Sequence, residues 1–224
     1  MSALYVCATP IGNLFDASLR LIETLKNVDL IVAEDTRQTK KLLERYSIQK
    51  DIISYNEHNK KQKNSLVLEQ ILSGKNVALV SDAGTPTISD PGFDLVKSCV
   101  QEGIQIIPIP GPCAFIAALS VSGISADRFV FEGFLPREGK MRRRVLRKLA
   151  NEERTIVFYE APHRLLKTLN DILKIFGDRR ICIAREITKI YEELYRGKIS
   201  EAISKYEQGV LGEITLIIEG YISS

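Results

Sequence analysis

The chain of 224 residues has an ordinary globular composition, with 45% hydrophobic and 26% charged residues. This balance excludes collagen-like and wholly disordered proteins. No apolar run reaches the roughly 18 residues that a membrane span needs, and the N-terminus lacks the basic segment that opens a signal peptide. We therefore expect a cytoplasmic protein without membrane association. The net charge of +3 is too small to indicate a nucleic-acid partner by itself.

Cysteine and histidine usage gives no sign of a metal site. The two histidines lie far apart, and no two cysteines are close in sequence. The spacing typical of zinc ligands is therefore missing, and we predict thiols without disulfides and no bound metal. The cysteines are Cys7, Cys99, Cys113 and Cys182.

Strand-like and helix-like segments alternate through the first half of the chain. Strands are predicted at Leu4–Ala8, Leu30–Ala33, Ile52–Tyr55, Val77–Val80 and Ile104–Ile109. Helices are predicted at Ser18–Lys26, Thr36–Tyr46, Ser65–Ser73, Pro91–Glu102 and Phe115–Ser120. Asp90 is the expected N-cap of the helix that starts at Pro91. Repeated alternation of this kind predicts an α/β domain with a mostly parallel sheet.

A small, polar stretch at Ser120–Asp127 is typical of a linker. After it, strands are predicted at Phe129–Phe134, Thr155–Tyr159, Arg180–Ala184 and Ile214–Glu219. Helices are predicted at Lys140–Leu149 and Pro162–Phe176. The fold class is therefore α/β with two domains, residues 1–123 and 124–224.

Four loops differ from simple connections, and each follows a predicted strand. Glycine and proline let a backbone turn sharply and approach a ligand closely, and ligands bind beyond the carboxyl ends of strands in open α/β sheets. No loop matches the glycine pattern of a dinucleotide site or a P-loop. We interpret the loops as parts of one ligand cleft between the domains, with ordinary turns as the alternative for each. They are Ala8–Asn13, Ser81–Gly92, Pro108–Phe115 and Phe158–Arg164.

These loops and three further segments together resemble a known family, the bacterial ribosomal RNA 2′-O-methyltransferases of the tetrapyrrole methylase superfamily. The resemblance extends from about Leu4 to Gly220. The segments that carry it are ATPIGNL, AEDTR, SDAGTPTISDPG, PGPCAF, GFLPR, FYEAPHR and the run from Arg185 to Gly197. It implies 2′-O-ribose methylation of a cytidine in the decoding region of small-subunit ribosomal RNA. It also implies S-adenosylmethionine as cofactor in a cleft between two α/β domains, and a homodimer. The substrate would be free RNA or the assembled small subunit.

The resemblance also implies cofactor contacts, motif by motif. The loop after the first strand contributes at its Pro-Ile pair. A Gly-Thr-Pro triplet takes the place of the superfamily's Gly-Asp-Pro motif, so that a threonine stands where the family often has an acid. The implied contacts are Pro10, Ile11, Gly84, Thr85, Pro86, Ile88, Cys113, Ala114, Ala161 and Glu213.

Methylation of a ribose hydroxyl benefits from a base that removes its proton or a cation that stabilises the alkoxide. We hypothesise that Glu160 or Glu34 is the base or an orienting group, and that Arg37 or Lys189 holds phosphate or alkoxide. The alternative is that these charged side chains pair with one another across the domain interface.

The segment Lys140–Lys148 contains six basic residues in nine. As a helix, it would place Met141, Val145 and Leu149 on one apolar side and the basic residues on the remaining surface. We predict contacts to RNA phosphates, with a merely solvated helix face as the alternative. The predicted RNA-binding residues are Arg142, Arg143, Arg144, Arg147 and Lys148.

Two other functions remain open at this point. One is a ribosome-binding factor that keeps the cleft but has lost catalysis. The other is a methylase of a tetrapyrrole-like small molecule, against which the arginine cluster and the AEDTR segment argue.

Overall fold

In the computed structural model, which describes residues 2–222, the chain divides into two compact units. The first unit runs to Cys113 and the second begins at Ala114. This division comes before the predicted linker at Ser120–Asp127. The reason is that the helix Ala114–Val121, predicted to belong to the first domain, packs on strands of the second unit's sheet.

The first unit is built on a fully parallel five-stranded sheet. Its strands are β1 (Ala3–Cys7), β2 (Leu30–Ala33), β3 (Ile52–Ser54), β4 (Val77–Val80) and β5 (Gln105–Ile109), in the order β3-β2-β4-β1-β5. All residues of β2 and β4 are buried, as expected of strands covered on both faces. Each predicted strand of this unit is confirmed, with its ends shifted by one residue or less.

Four helices cover the two faces of this sheet: α1 (Leu19–Asn27), α2 (Thr36–Arg45), α3 (Lys60–Leu72) and α4 (Phe93–Gln101). The first two pack in one core and the last two in another. Two predicted helix starts are wrong. The helix α3 begins before Ser65, at Lys60, and α4 begins after Pro91, with Gly92 at its N-cap and a φ of 125°. Asp90 and Pro91 belong instead to the long loop that follows β4.

The second unit contains a mixed five-stranded sheet. Its strands are β6 (Phe129–Phe134), β7 (Thr155–Glu160), β8 (Arg180–Arg185), β9 (Glu193–Lys198) and β10 (Ile214–Ile218), in the order β6-β7-β10-β8-β9. Only β6 and β7 are parallel, and the other pairs are antiparallel. The strand β9 was not predicted. The α/β class is confirmed for both units.

Helices cover both faces of this second sheet as well. They are α5 (Ala114–Val121), α6 (Gly139–Leu149), α7 (Leu165–Phe176) and α8 (Ile199–Lys205). A short 3-10 turn at Pro162–Arg164 leads into α7. One core lies under α5, and a larger one under the other three helices.

Over residues 2–222, no helix combines the length and the apolar character needed to cross a membrane. In the same part of the chain, no three His, Cys, Asp or Glu side chains are grouped so as to hold a metal ion. No disulfide joins the four cysteines, all of which lie in the described range.

Candidate functional site

The loops after β1 and β4 are joined at the carboxyl edge of the first sheet. All strands of this sheet run in one direction, so their following loops meet at one edge. Thr9 and Gly84 exchange two backbone hydrogen bonds, of 2.8 and 3.1 Å. The Thr9 hydroxyl also donates to the Ser81 carbonyl at 3.1 Å. The two loops therefore form one fixed surface.

The loop after β5 completes this surface. The Thr85 hydroxyl donates to the Pro112 carbonyl at 3.4 Å. A Cβ atom at Gly111 would lie 3.1 Å from the Ala8 carbonyl oxygen, so a side chain there would be crowded. Gly84 has a φ of 98° and faces the side chain of Ile11. The structure thus brings together the three loops of the first unit that carry predicted cofactor residues, whereas Ala114 begins the second unit.

The long loop after β4 contains residues in an unusual backbone conformation. Thr87 and Ser89 have φ values of 73° and 60°, which side-chain-bearing residues rarely adopt. Ile88 lies between them with its side chain exposed, and its N–H donates to the Thr85 carbonyl at 3.3 Å. Such strain occurs preferentially at ligand sites. An exposed isoleucine held in this way is available to contact a ligand.

Several acidic side chains, which we call the acidic group, lie around Glu34, the residue that directly follows β2. Burial and the nearby charges of Asp82, Asp90 and Asp35 raise the pKa of Glu34 to about 7. The Asp35 N–H donates to the Asp82 carboxylate at 2.8 Å, which ties the loop after β2 to the loop after β4. A carboxyl group with this pKa can accept a proton near neutral pH, and its surroundings favour a cationic ligand.

Arg37 lies beside these acidic side chains and forms an ion pair with one of them, Asp35. Its side chain is 86% exposed and reaches the Asp35 carboxylate at 2.7 Å. The same contact lowers the pKa of Asp35 to about 2. Asp35 also caps α2, accepting a hydrogen bond from the Arg37 N–H at 2.9 Å. Arg37 therefore presents its charge to solvent from a defined position.

The second unit gathers its predicted site residues at one end of its own sheet. Ile214, the first residue of β10, pairs with Glu160 at the end of β7 and with Arg185 at the end of β8. Ala161 and Glu213 are the neighbours of these paired residues in sequence. They therefore lie at the same end of the sheet.

Glu160 is not placed to act as a base. It is 2% exposed, and its carboxylate accepts hydrogen bonds from the Thr168 hydroxyl at 2.5 Å and the Ala161 N–H at 2.8 Å. The Arg164 guanidinium lies 3.1 Å away and also donates to the Leu135 carbonyl at 2.6 Å. This geometry disfavours Glu160 as a base, because the carboxylate is committed to holding the corner between β7 and α7. Its role as an orienting group stays a prediction.

Lys189 is held by two carboxylates. Its ammonium lies 2.9 Å from Glu186 and 3.1 Å from Glu213. Burial alone would lower the pKa of Lys189, but hydrogen bonds to these two residues outweigh it and raise that pKa. The geometry favours the alternative in which Lys189 forms ion pairs with other side chains. The pairing lies within the second unit.

Sequence reasoning did not identify Glu186 as a partner of Lys189. Glu186 and Thr188 both have positive φ values, of 50° and 69°. The Glu186 carboxylate accepts a hydrogen bond from the Glu213 N–H at 2.8 Å. The dense charge of the segment after β8 was the available signal, but it does not reveal which acid contacts Lys189.

The basic helix α6 is rotated relative to the prediction. Arg142 is 5% exposed, and two of its nitrogens donate to the Asp171 carboxylate of α7 at 2.6 and 2.9 Å. Met141, expected on the apolar side, is exposed, and Leu146 is buried instead. The exposed position predicted for Arg142 is therefore wrong, because a buried acid on α7 pairs with this arginine. This placement disfavours an RNA contact by Arg142.

The remaining basic residues of α6 form an exposed surface, which we call the basic face. Arg143 is partly exposed and lies 3.5 Å from Asp171. The other members are exposed: Lys140, Arg144, Arg147 and Lys148.

Comparison with known proteins places the chain in a family. The family model described as Tetrapyrrole (Corrin/Porphyrin) Methylases matches residues 3–203. The chain belongs to this family. Among curated relatives, it is 53% identical to the ribosomal RNA small subunit methyltransferase I of Thermotoga maritima, over 98% of this chain and 99% of that protein. It is 51% identical to the protein of the same name from Bacillus subtilis, over 98% and 76% of the two chains.

Solved structures of more distant tetrapyrrole methylases share the fold. The methyltransferase CobJ has a TM-score of 0.74 at 17% identity, over 98% of this chain and 95% of that one. A uroporphyrin-III C-methyl transferase from Thermus thermophilus, complexed with S-adenosyl homocysteine, has a TM-score of 0.70 at 16% identity. That match covers 97% of both chains. At these identities the likeness concerns the fold alone.

Proposed function

We propose that the protein transfers a methyl group from S-adenosylmethionine to small-subunit ribosomal RNA, at the ribose 2′-oxygen of a cytidine in the decoding region. The observation that carries the substrate class is the name shared by relatives at about half identity over nearly the whole chain. The name of those relatives favours an RNA substrate over the tetrapyrrole-like small molecule that remained open from the sequence.

The carboxyl edge of the first sheet fits the proposed cofactor. Gly111 lets the loop after β5 pack closely on Ala8, and Gly84, with its positive φ, packs against Ile11, so the loops form one surface. The acidic group around Glu34 suits a positively charged ligand. When bound, S-adenosylmethionine supplies an activated methyl group on a sulfonium. The residues proposed to hold it are Pro10, Ile11, Gly84, Thr85, Pro86, Ile88, Cys113 and Ala114, with Ala161 and Glu213 from the second unit.

In this proposal Glu34 accepts the proton that the ribose hydroxyl loses. A raised pKa near 7 gives Glu34 a substantial basic fraction at neutral pH and enough basicity to take a proton. Arg37 is exposed beside it and is proposed to bind a phosphate of the RNA. We propose that Lys189 orients the carboxylates of Glu186 and Glu213, because its ammonium already forms ion pairs with both.

The substrate contacts are proposed to include the basic face of α6. Arg144, Arg147 and Lys148 have exposed side chains on a rigid helix and would contact phosphates without reading sequence. The substrate is then free RNA or the assembled small subunit, and the two are separated by offering each to the protein in turn.

We also propose that the chain forms a homodimer, as its family resemblance implies. Sedimentation of the purified protein at micromolar concentration tests this, with a mass near twice 25.2 kDa expected. A single chain mass at that concentration would contradict it.

The experiment that tests the function is transfer of a labelled methyl group from S-adenosylmethionine to purified small ribosomal subunits that lack the modification. Label in the RNA, mapped to a cytidine ribose, is the expected result. A protein that binds both cofactor and subunits but transfers no label would instead be a noncatalytic ribosome-binding factor.

A further inference from the structure

An exposed phenylalanine lies at the end of a row of aromatic rings in the second unit. Phe115 and Phe131 are stacked, with ring centroids 4.2 Å apart. Tyr159 lies edge-on to Phe131 at 5.0 Å and contacts Phe134 at 5.4 Å. We call these four residues the aromatic row. Three of them are partly buried, whereas Phe134 is 56% exposed.

A bulge in β6 brings Phe134 into this row. Phe131 pairs with Val157 and Phe134 with Tyr159, so that three steps along β6 match two along β7. Side chains alternate between the faces of a strand, and without the extra residue Phe134 would lie on the opposite face from Phe131. Gly133, with a φ of 63°, provides the backbone conformation that the bulge needs.

The row is fixed at both ends. The Tyr159 hydroxyl accepts a hydrogen bond from the Phe115 N–H, at the start of α5, at 3.3 Å. On the other side, Arg164 donates to the carbonyl of Leu135, the residue directly after Phe134. Because its ring neighbour and the following residue are anchored in this way, we expect Phe134 to lose little conformational freedom when a second ring lies on it.

Exposed cations follow Phe134 closely along the chain. Arg137 is three residues further on, within about 11 Å of chain at most, and Lys140 begins the basic face of α6. The acidic side chains of the same stretch are Glu132 and Glu138. Aromatic rings next to lysines and arginines are the combination that binds unpaired nucleotides, because bases stack on the rings while the cations contact phosphates.

We propose that Phe134 is a stacking platform for an unpaired base of the RNA substrate, with Arg137 and Lys140 beside it for the backbone. This inference rests on the proposed function, since it names a contact for the same substrate. Phe134 is a binding and positioning residue: it holds the nucleotide chain and takes no part in the methyl transfer.

The test compares Phe134→Leu, which keeps an apolar side chain but removes the ring, with Phe134→Tyr, which keeps the ring. Tyr221→Leu is the matched control. Tyr221 is also partly exposed, and its N–H donates to the Glu152 carbonyl near the start of β7, whereas Phe134 lies beside the end of that strand. Circular dichroism melting establishes that all three variants are folded.

Steady-state methyl transfer to small ribosomal subunits gives the first measurement. Stacking of one base contributes roughly a five- to hundredfold effect on binding, so Phe134→Leu should raise KM for subunits about tenfold. Phe134→Tyr and Tyr221→Leu should stay within about twofold of the unchanged protein. The affinity for S-adenosylmethionine and the sedimentation of all variants should be unchanged.

Three results would overturn the platform while leaving the enzyme function intact. They are an unchanged KM in Phe134→Leu, a loss of cofactor affinity in that variant, or an altered oligomeric state. If the unchanged protein transfers no methyl group, the proposed function fails, and anisotropy of a labelled single-stranded oligocytidylate then tests the platform alone. Weaker binding by Phe134→Leu than by Tyr221→Leu supports it, and equal binding or none contradicts it.

Discussion

At the scale of single residues, the environment of each carboxyl group decides its use. Burial and several neighbouring acids raise the pKa of Glu34 to about 7, and its side chain remains partly accessible. Glu160 instead has a guanidinium, a hydroxyl and an N–H around a fully buried carboxylate. The same residue type therefore has a raised pKa in one unit, where we propose it as the proton acceptor, and holds a buried arginine in the other.

Glu34→Gln should lower the rate of methyl transfer by about 10²- to 10⁴-fold, because the amide cannot accept the proton. The affinity for S-adenosylmethionine should remain within about threefold. In the unchanged protein, the rate should rise with pH through about 7, as Glu34 loses its proton, and then level off. Glu57→Gln is the matched control, since it removes a neighbouring exposed charge. An undiminished rate in Glu34→Gln would remove this residue from the mechanism.

The same raised pKa predicts a dependence of stability on pH. The folded protein holds the Glu34 proton up to about pH 7, whereas the unfolded chain releases it near the ordinary pKa of 4.5. The folded state thus binds more protons between these values, so stability falls as pH rises through this window. Glu34→Gln should therefore be more stable than the unchanged protein at pH 8 by about 1–2 kcal/mol, a figure reduced for solvent screening. Urea unfolding of both proteins at pH 4 and pH 8 measures it, and an equal difference at both values would contradict it.

Glu160→Gln should destabilise the second unit by about 3 kcal/mol, because Arg164 would keep its charge in a buried setting without a carboxylate. Urea unfolding of the variant measures the loss. Glu207→Gln, at an exposed position, should change the free energy of unfolding by less than about 0.5 kcal/mol. Full stability combined with lost turnover would return Glu160 to the list of catalytic residues.

At the scale of elements, the helix α6 shows what a hydropathy pattern leaves undecided. The spacing of Met141, Val145 and Leu149 predicts an inward side, but Met141 is exposed, and the buried residues of this helix are Arg142 and Leu146. A charged side chain is buried only when an oppositely charged partner pairs with it. The partner of Arg142 is Asp171, which lies on another helix and is distant in sequence. Such a pairing cannot be read from one segment.

Substitutions of exposed residues of α6 and of its buried arginine should therefore have different effects on binding and on stability. The triple variant Arg144→Ala, Arg147→Ala and Lys148→Ala should keep its stability but bind small subunits more weakly and with a flatter dependence on salt. Each lost phosphate contact reduces the logarithmic slope by about 0.7–0.9.

Arg142→Ala should instead lower the free energy of unfolding by about 3–5 kcal/mol, because it leaves Asp171 buried without its main partner. Salt titration of subunit binding, together with urea unfolding, separates the two cases. An unchanged salt slope in the triple variant would contradict an RNA contact by this face.

Strands with continuous apolar runs were predictable, whereas β9 was not. Its sequence, ELYRGK, contains three charged residues and a glycine and has no continuous apolar run. The strand lies at the edge of the sheet and, among the described strands, pairs with one neighbour only, β8. The start of α4 was missed for a related reason. Gly92 takes the N-cap position because a long strained loop precedes the helix. The turn residues Asp90 and Pro91 in this loop are also the residue types that commonly begin a helix, which is why the prediction placed the start there.

At the scale of the whole molecule, motif resemblance predicted more than residue patterns did. The family membership could be read from short motifs spread over the chain, and the two α/β units from the alternation of strand-like and helix-like segments. The position of the division could not, because α5 follows the first sheet in sequence but packs on the second. The local composition at Ser120–Asp127 indicates a break in regular secondary structure, but it does not mark the boundary between the two units.

The most direct measurement is to incubate the protein with labelled S-adenosylmethionine and unmodified small ribosomal subunits, then map the label by resistance of the RNA to alkaline cleavage. A methylated 2′-oxygen cannot attack the neighbouring phosphate, so the modified position should appear as a gap in the cleavage pattern. We expect that gap at one cytidine in the decoding region, and a strongly reduced signal with Glu34→Gln. Label on a base, or no label in RNA under conditions where the cofactor binds, would contradict ribose methylation by this protein.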